Sequence, residues 1–391
     1  MNTPETTASP SKRHVLIAGG GIGGLTLARA LQHAGLRATV FERAEALRPV
    51  GAGILVQMNG MRALRHIGAD AGVVREGQIL HEAAVLDAKG RAIARTRFEG
   101  LTRELGVPGV AIHRGRLQAV LLEGLGPEQV RTGLRVEGFQ DEGHQVTVTL
   151  SDGSTASGDV LVGADGLHSV VRRALLGDTP LRYSGYTSWR GVTTYDLPRE
   201  PGSMSESWGP GARFGLAPIG HGQTYWFATK NAPEGVKDEP GRARASLLET
   251  FGAWHAPIAQ VLEATPEENF LRVDIHDRPP VTRWSQGRVT LLGDAAHPMT
   301  PNMGQGGGQA IEDAVVLAGC LAREADLPTA LADYERRRVE RANSFVTRAL
   351  QLGRVAQMES APGRFVRDTL MRLVPESAAV RQVRALMQFE L

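Results

Sequence analysis

Three glycines near the amino terminus have the spacing of a loop that binds a dinucleotide. Gly19, Gly21 and Gly24 fit the pattern G-x-G-x-x-G, and Glu42 follows at roughly the 20-residue distance at which an acidic side chain reaches a ribose hydroxyl. Glycine permits a tight turn and close approach of the backbone to a pyrophosphate, and the N–H groups of the following helix donate to the phosphates. NAD(P) and FAD are both held in this way, so the loop alone predicts a dinucleotide site without choosing between them.

Two aspartates follow apolar runs further along the chain. Asp165 comes after the run 159–164, and Asp294 comes after the run 288–293. An aspartate at the carboxyl end of a buried parallel strand points into the crevice where open α/β sheets bind ligands, although capping of the next helix is the alternative for Asp165. A glycine-rich turn over 304–308 then leads into a predicted helix from about Gln309 to Ala322, whose positive end would point at whatever the Asp294 loop holds.

Short apolar runs predict the elements that position these groups. The runs 15–18, 38–41, 159–163 and 288–292 indicate buried parallel strands, and the first is followed by a helix that closes at Gly35. Asn59 can cap a helix that runs to about Gly68. Alternation of apolar and polar residues predicts a hairpin over 79–98 and a β-meander over 130–157. The strand ends that carry the glycine loop, Asp165 and Asp294 could therefore meet at one edge of a single sheet.

The segment 183–280 differs from the rest of the chain in composition, because it holds most of the tyrosines and tryptophans, mostly in strand-like runs. A separate sheet with an aromatic-lined face is the natural prediction, although aromatic residues in strands usually belong to a core. From Leu327 onward the pattern is helical, rich in arginine and amphipathic, which predicts packing against the cofactor domain.

Composition narrows the class of protein. The 391 residues include 44 basic and 42 acidic side chains, so there is no bulk electrostatic case for binding to nucleic acid or to a membrane. The single cysteine, Cys320, can form no intrachain disulfide and indicates no metal site, which suits a reducing, cytoplasmic compartment. No apolar run approaches the roughly 18 residues of an integral membrane segment. Residues 1–11, rich in Thr, Pro and Ser, are expected to form a disordered lead.

The glycine loop, the Asp-Gly motif within 159–172 and the Gly-Asp motif within 288–313 occur in an order that resembles the single-component FAD-dependent aromatic hydroxylases, the para-hydroxybenzoate-hydroxylase-like monooxygenases. The resemblance covers residues 15 to about 341. It implies an α/β fold, in which a Rossmann-like parallel sheet of the glutathione-reductase type with a β-meander binds FAD. The same fold includes a substrate domain with a mainly antiparallel sheet, and C-terminal helices. The expected ranges are 12–77, 101–181 and 281–356 for the FAD-binding domain, 78–100 and 182–280 for the substrate domain, and 357–391 for the C-terminal helices.

The resemblance also implies which residues bind FAD. The glycine loop would hold the pyrophosphate, Glu42 with the adjacent Arg43 would lie at the adenosine ribose, and Asp294 would bind the ribityl chain. A helix N-terminus at 304–308 would face the flavin pyrimidine, where it stabilises the anionic reduced ring. The implied FAD-binding residues are Gly19, Gly21, Gly23, Gly24, Glu42, Arg43, Arg114, Val136, Asp165, Asp294, Gly304, Gln305, Gly306, Gly307 and Gly308.

Within the family, the segment 211–228 is similar to the branch that contains FAD-dependent urate hydroxylase and similar heteroaromatic hydroxylases. In that branch an arginine and a tyrosine at the positions of Arg213 and Tyr225 serve the substrate site. Arg213 could pair with an anionic ring, and Tyr225 could polarise or orient it, although both also suit ordinary strand packing. Arg190 replaces an asparagine of the urate branch, and this difference argues against urate itself.

The implied reaction uses NADH or NADPH to reduce FAD, whose hydroperoxide with O2 then transfers one oxygen atom to a small aromatic or N-heteroaromatic substrate. Epoxidation or another flavin-dependent oxidation on the same fold is the nearest alternative. An NAD-dependent dehydrogenase would leave Asp165 and Asp294 without a role, and a non-catalytic flavin-binding protein is the third alternative. The protein is expected to be a monomer or a homodimer.

Overall fold

The computed structural model describes residues 13–47, 52–198 and 200–389, so the expected lead over 1–11 lies outside the described residues. The strands in chain order are β1 (His14–Ala18), β2 (Arg37–Glu42), β3 (Gly53–Val56), β4 (Gln78–Leu80), β5 (Glu82–Asp87), β6 (Ala92–Arg97), β7 (Gly109–His113), β8 (Val130–Thr132), β9 (Val136–Asp141), β10 (Val146–Leu150), β11 (Thr155–Gly158), β12 (Val160–Gly163), β13 (Arg182–Thr193), β14 (Ser203–Gly209), β15 (Ala212–Pro218), β16 (Thr224–Asn231), β17 (Leu271–Asp277), β18 (Ser285–Gln286) and β19 (Val289–Leu291).

The helices are α1 (Ile22–His33), α2 (Met58–His66), α3 (Asp70–Glu76), α4 (Glu99–Leu105), α5 (Arg114–Leu122), α6 (Val170–Leu176), α7 (Ala243–Phe251), α8 (Ile258–Ala264), α9 (Gly306–Arg323), α10 (Leu327–Ala356), α11 (Ala361–Leu373) and α12 (Glu376–Met387). Within the described part of the chain, no helix has the length and apolar character needed to cross a membrane.

A six-stranded sheet forms the first layer of the fold. Its strand order is β18-β19-β12-β1-β2-β8, and β1 pairs in parallel with both β2 and β12, while β19 pairs in parallel with β12. The apolar run of β1 is almost completely buried, as expected for a parallel strand that is covered on both faces. The carboxyl ends of β1, β12 and β19 are therefore neighbours at one edge, which confirms the prediction that the three motifs converge.

Two smaller motifs follow the predicted turns. The β-meander consists of β9, β10 and β11, whereas β8 leaves it and joins the parallel sheet beside β2. The hairpin of β5 and β6 turns at Gly90, whose N–H donates to the Asp87 carbonyl over 2.9 Å. Because β5 also pairs with β14, this hairpin extends the sheet of the later strands.

A seven-stranded, mainly antiparallel sheet forms the second layer, in the order β17-β13-β16-β15-β14-β5-β6. Trp189, Phe214 and Trp226 lie on its back face and form an apolar core with α7 and α8. The alternation along each strand leaves Arg190, Arg213 and other residues on the front face. Trp189 and Trp226 are thus core, as the alternative interpretation held, whereas Trp208 lies opposite Arg213 on the front face, together with the predicted substrate residues.

Two predicted helix starts are wrong. The helix expected from about Gln309 begins at Gly306, so that Gly306, Gly307 and Gly308 form its first turn rather than part of a preceding turn. The first N–H groups of a helix have no intrahelical partner, so the usual cost of glycine is small there. The second helix begins at Met58, which places Asn59 inside it, fully buried, instead of at its cap.

Candidate active site

The glycine loop leaves an open space at the start of α1. Gly19 has a φ of +103°, and a Cβ atom there would lie 2.5 Å from the Ala164 carbonyl oxygen, so only glycine fits. By contrast, a Cβ atom on Gly21 would have no neighbour within 4 Å. The Leu25 N–H donates to the Gly21 carbonyl over 3.0 Å, and the N–H groups between them begin the helix without an intrahelical acceptor. This space suits an anion such as a pyrophosphate.

Glu42, at the end of β2, holds the loop in place. Its Oε2 accepts from the Gly20 N–H over 2.7 Å and its Oε1 from the Ala44 N–H over 2.9 Å, and each oxygen keeps a further lone pair for a hydroxyl group. The Leu134 N–H donates to the Glu42 carbonyl over 2.9 Å, which brings the start of β9 with the buried Val136 to this side of the site. Arg43 is exposed.

Asp165 lies directly beside the loop, since its Cα is 2.9 Å from the Cβ position of Gly19. Its Oδ2 accepts from the N–H of Val170, the first residue of α6, over 2.8 Å, but the N-cap of this helix is Ser169, so the alternative that Asp165 is the cap is wrong. Its Oδ1 is buried and has no hydrogen-bond partner among the described residues. Burial raises the pKa of this carboxyl in spite of its hydrogen bonds. An unpartnered acceptor at this position fits a ligand hydroxyl or a bridging water.

Asp294 lies in a deep cleft at the end of β19. Its side chain is accessible, yet the surrounding protein raises the pKa of its carboxyl, while the charges of His297, Arg114 and Arg190 lower it. Its Oδ1 is 3.9 Å from the Cβ position of Gly306, so the carboxylate faces the first turn of α9. Exposure within a protein-lined cleft is the geometry of a ligand contact.

Gln305, which precedes α9, turns its side chain away from the cleft and is almost fully buried. Its Oε1 accepts from the Asn59 Nδ2 over 2.9 Å, and its Nε2 donates to the Asn59 Oδ1 over 3.2 Å. Gly304 has a φ of +60° and makes the turn into the helix. What this segment can offer a ligand is thus the backbone from Gly304 to Gly308 rather than the Gln305 side chain.

A buried ionic network behind this loop was missed by sequence reasoning. Asp313 on α9 accepts from the Gly293 N–H over 3.0 Å and from His297 Nε2 over 2.5 Å. Arg338 on α10 donates to Asp313 over 2.7 Å and also to Glu312, and all three side chains are inaccessible. Burial opposes ionisation of Asp313, but the charges of His297 and Arg338 together lower its pKa to about 2. The network fixes the backbone next to Asp294.

Arg190 and Tyr225 lie on the front face of the second sheet. Arg190 pairs with Phe227, two residues from Tyr225 on the neighbouring strand, so both side chains point to the same side as diagonal neighbours. The Tyr225 ring packs on Gly53, whose Cβ position is 2.4 Å from its Cγ. Burial raises the pKa of Tyr225, and the charge of Arg190 lowers it. Ile54, the neighbour of Gly53, lies 2.8 Å from the Cβ position of Gly307, so this face of the sheet adjoins the start of α9, and the charge of Arg190 also lowers the pKa of Asp294.

Arg213 is almost fully buried, and its donors are engaged within the protein. It donates to Gln357 over 2.6 Å, to Glu206 over 2.9 Å and to Asn302 over 2.6 Å. Asn302 belongs to the 3-10 turn that precedes Gly304. In this arrangement Arg213 ties the loop before α9 to the substrate sheet. Its predicted contact with substrate stays a prediction.

A second polar cavity, of about 160 Å³, adjoins α6 and is lined by Arg172 and Arg278. Arg172 donates to the carbonyls of Ala295 and Ala296 over 2.9 and 2.8 Å, directly behind Asp294. Neither guanidinium forms an ion pair within the described ranges, and both Nε atoms lack a partner. Burial and the neighbouring Arg278 lower the pKa of Arg172 to about 10. Arg173 and Asp178 also line this cavity, so that its arginines outnumber its one carboxylate, and an anionic group could bind there.

These features define a flavoprotein. The open cradle at Gly21, the unpartnered Oδ1 of Asp165 and the accessible Asp294 before a helix N-terminus fit the pyrophosphate, hydroxyl-bearing chain and ring of FAD. The chain belongs to the FAD binding domain family, whose model matches residues 12–349.

Relatives over nearly the whole chain support the same assignment. The chain is 53% identical to an aurachin C monooxygenase/isomerase of Stigmatella aurantiaca over 375 residues, which are 96% of this chain and 98% of the relative. It is 36% identical to an FAD-dependent urate hydroxylase of Klebsiella pneumoniae, over 85% of this chain and 88% of the relative. The solved structure of Klebsiella pneumoniae HpxO with FAD and uric acid matches with a TM-score of 0.90 and 31% identity, covering 96% of each chain.

The protein is accordingly an FAD-dependent monooxygenase. The predicted resemblance, fold class and cofactor are confirmed by these comparisons. The enzymatic class is confirmed as well, which rules out the dehydrogenase and the non-catalytic protein. The individual site residues and the domain boundaries stay predictions.

Proposed function

We propose that this enzyme uses NADH or NADPH to insert one oxygen atom from O2 into a small aromatic or N-heteroaromatic substrate. The observation that carries the proposal is the position of Tyr225, which packs on Gly53, while the adjacent Ile54 lies 2.8 Å from the Cβ position of Gly307 at the start of α9. The front face of the substrate sheet, with Arg190 beside Tyr225, is thereby next to the proposed FAD site. Bound FAD supplies the electron transfer and the activation of O2. The relatives' printed substrates, aurachin C and urate, are the first candidates to test.

The residues of this chain hold and shield the reacting groups. The N–H groups at the start of α1 would bind the pyrophosphate, and Asp294 would accept from the ribityl chain. The backbone at the start of α9 would supply partial positive charge to the flavin pyrimidine, where FAD becomes more negative on reduction. The walls of the cleft exclude water from the reacting atoms.

Arg190 is the cation that we assign to the substrate. Its side chain makes no hydrogen bond or ion pair with the described residues, although its charge lowers the pKa of both Tyr225 and Asp294. A guanidinium without a partner in a largely enclosed cleft favours an aromatic substrate that carries an acidic oxygen or a carboxylate. Tyr225 orients the ring, and Arg213 positions the loop before α9.

The cavity beside α6 is assigned to the diphosphate of NAD(P)H. Arg172 and Arg278 provide the two cations, and Arg172 also bonds the backbone that follows Asp294. A cytoplasmic location and a monomeric or homodimeric state belong to the same proposal, the former because Cys320 forms no intrachain disulfide.

The proposal is tested by measuring NAD(P)H oxidation with and without aurachin C, uric acid and salicylate. Stimulation by a substrate with an acidic oxygen, and a product heavier by one oxygen atom, is expected. In Arg190→Asn, KM for that substrate should rise about tenfold or more while FAD content is unchanged. Equal KM values in wild type and variant would remove Arg190 from the substrate site. The NMR spectrum of the product distinguishes hydroxylation from epoxidation.

A further inference from the structure

Helix α11 has its two faces reversed relative to an ordinary surface helix. Helices on globular proteins normally turn their apolar stripe to the core and their charges to water. On α11 and the residue after it, the large apolar side chains are instead exposed, by 72% at Phe365, 54% at Val366, 60% at Leu370, 72% at Leu373 and 51% at Val374. We call these five residues the α11 stripe. They form one continuous arc at helical spacing.

The polar side of α11 faces the protein body. Arg367 is buried, donates to the carbonyls of Val355 and Ala356, and lies over the Trp208 ring at 4.9 Å. Arg372 donates to the Ala92 carbonyl of β6 over 3.3 Å. Polar contacts on its inner side therefore fix the orientation of α11, and these contacts hold the α11 stripe toward solvent.

We infer that the α11 stripe docks on the surface of an anionic lipid membrane. Exposed ionic side chains from 348 to 381 comprise four arginines and two glutamates: Arg348, Arg354, Glu359, Arg372, Glu376 and Arg381. Arg372 lies 3.8 Å from Asp87 Oδ2, Glu359 accepts from Asn231 and Glu376 accepts from the Arg97 N–H, so one arginine and both acids are engaged by the protein. The other three exposed arginines, on α10 and α12, form no ion pair among the described residues. An exposed apolar helix face within an arginine-rich segment is the composition that inserts at an anionic lipid interface.

A second copy of the chain fits the α11 stripe less well. Five side chains offer on the order of 500 Å² of apolar surface, whereas a standard stable interface buries roughly 800 Å² on each partner. Two-fold pairing would also bring two copies of this arginine-rich segment together without added acidic partners. A lipid surface needs no complementary shape and supplies the negative charge.

Docking at this place would bring the substrate site close to the lipid. Gln357, between α10 and α11, accepts from Arg213 and donates to the Gly211 carbonyl, so the segment that carries the α11 stripe is bonded to the substrate sheet. An aromatic substrate dissolved in the membrane would then have a short route to the enzyme. This consequence rests on the proposed function, but docking itself does not.

The test is flotation of the FAD-loaded, full-length protein with vesicles of phosphatidylcholine alone or mixed with phosphatidylglycerol. We expect wild type to float with the mixed vesicles and less so at high salt, because charge contributes to binding. Phe365→Ser combined with Leu373→Ser should reduce the bound fraction at least about tenfold, since each buried apolar side chain contributes strongly. Val236→Ser combined with Val273→Ser, which replaces side chains exposed by 48% and 46%, is the matched control and should bind as wild type does.

FAD content and thermal midpoint show that each variant is folded, and they should match wild type because the substituted side chains are exposed. Failure of wild type to bind mixed vesicles would overturn the inference, as would equal binding by the Phe365 and Leu373 variant. Light scattering tests the other occupant. If wild type is a dimer, the Phe365 and Leu373 variant is a monomer and neither binds vesicles, the α11 stripe is an interface between two copies of the chain. Loss of monooxygenase activity alone would concern the proposed function and leave docking intact.

Discussion

Substitution of Gly21 by alanine separates cofactor binding from folding. The space at its Cβ position is open, and its backbone angles, φ −72° and ψ −177°, are accessible to alanine. The thermal midpoint of the cofactor-free variant should therefore equal that of the cofactor-free wild type or be slightly higher, since glycine-to-alanine changes at compatible sites stabilise by about 0.4–1 kcal/mol. The added methyl group would instead occupy the space in which the pyrophosphate approaches the helix.

The expected loss of FAD affinity follows from the hydrogen bonds that the methyl group displaces. A hydrogen bond to a charged group contributes about 1.5–3 kcal/mol, so losing one costs about that amount. Each hydrogen bond lost therefore raises the Kd for FAD roughly 10- to 150-fold. Quenching of FAD fluorescence on titration with the cofactor-free protein measures it directly.

Gly138→Ala is the matched control, because a Cβ atom at this position of β9 also has no neighbour within 4 Å, outside the glycine loop. Its Kd for FAD should equal that of wild type. Gly24→Ala is the opposite case, since its Cβ would lie 2.0 Å from the Gly19 carbonyl oxygen and must disturb the fold. A Gly21→Ala protein that binds FAD as tightly as wild type would refute the assignment of the loop to the pyrophosphate.

Three further substitutions probe the rest of the site. Asp294→Ala should weaken FAD binding about tenfold or more through loss of a charge-assisted hydrogen bond, and unchanged flavin content would count against its role. Arg278→Met should raise KM for NAD(P)H about tenfold without changing FAD content, and an unchanged KM would exclude the diphosphate from the cavity beside α6. Asp313→Asn should lower the free energy of unfolding by about 3–5 kcal/mol at neutral pH, because Arg338 loses a buried partner. The folded pKa of Asp313 is depressed to about 2, so its contribution is present above its unfolded pKa of about 3.9 and is lost as pH falls through about 2. Denaturant unfolding at stepwise lower pH should show the variant and wild type converging, and a constant difference would contradict this coupling.

The parallel sheet and the convergence of three motifs could be predicted because each rests on local pattern. Each short apolar run indicates a strand, and the residue that follows the run, which is Gly19, Asp165 or Asp294, marks the candidate site at the carboxyl end of that strand. Glycine also marked the turns at Gly90 and Gly143, where φ is +82° in both cases.

The start of α9 and the role of Asn59 could not be predicted, because tertiary contacts decide them. Asn59 has the residue type of a cap but lies inside a helix, where it donates to Glu312 over 2.6 Å across 253 positions of the chain. Such a long-range partner leaves no local signal, and the same holds for the contact of Arg213 with Gln357. The amphipathic pattern from Leu327 onward predicts packing against the cofactor domain, and for α11 this is wrong: its Arg367 and Arg372 contact Trp208 and β6 of the second sheet, and its apolar face is exposed. Nothing local in the sequence shows which face of α11 is turned to the protein.

Turnover under oxygen-18 gas tests the central claim most directly. With NADH or NADPH and a substrate that stimulates its oxidation, we predict that the product gains one oxygen atom and that this atom carries the heavy label. Incorporation of oxygen from water instead, or the same product formed without O2, would contradict the assignment of this enzyme as an FAD monooxygenase acting on an aromatic ring.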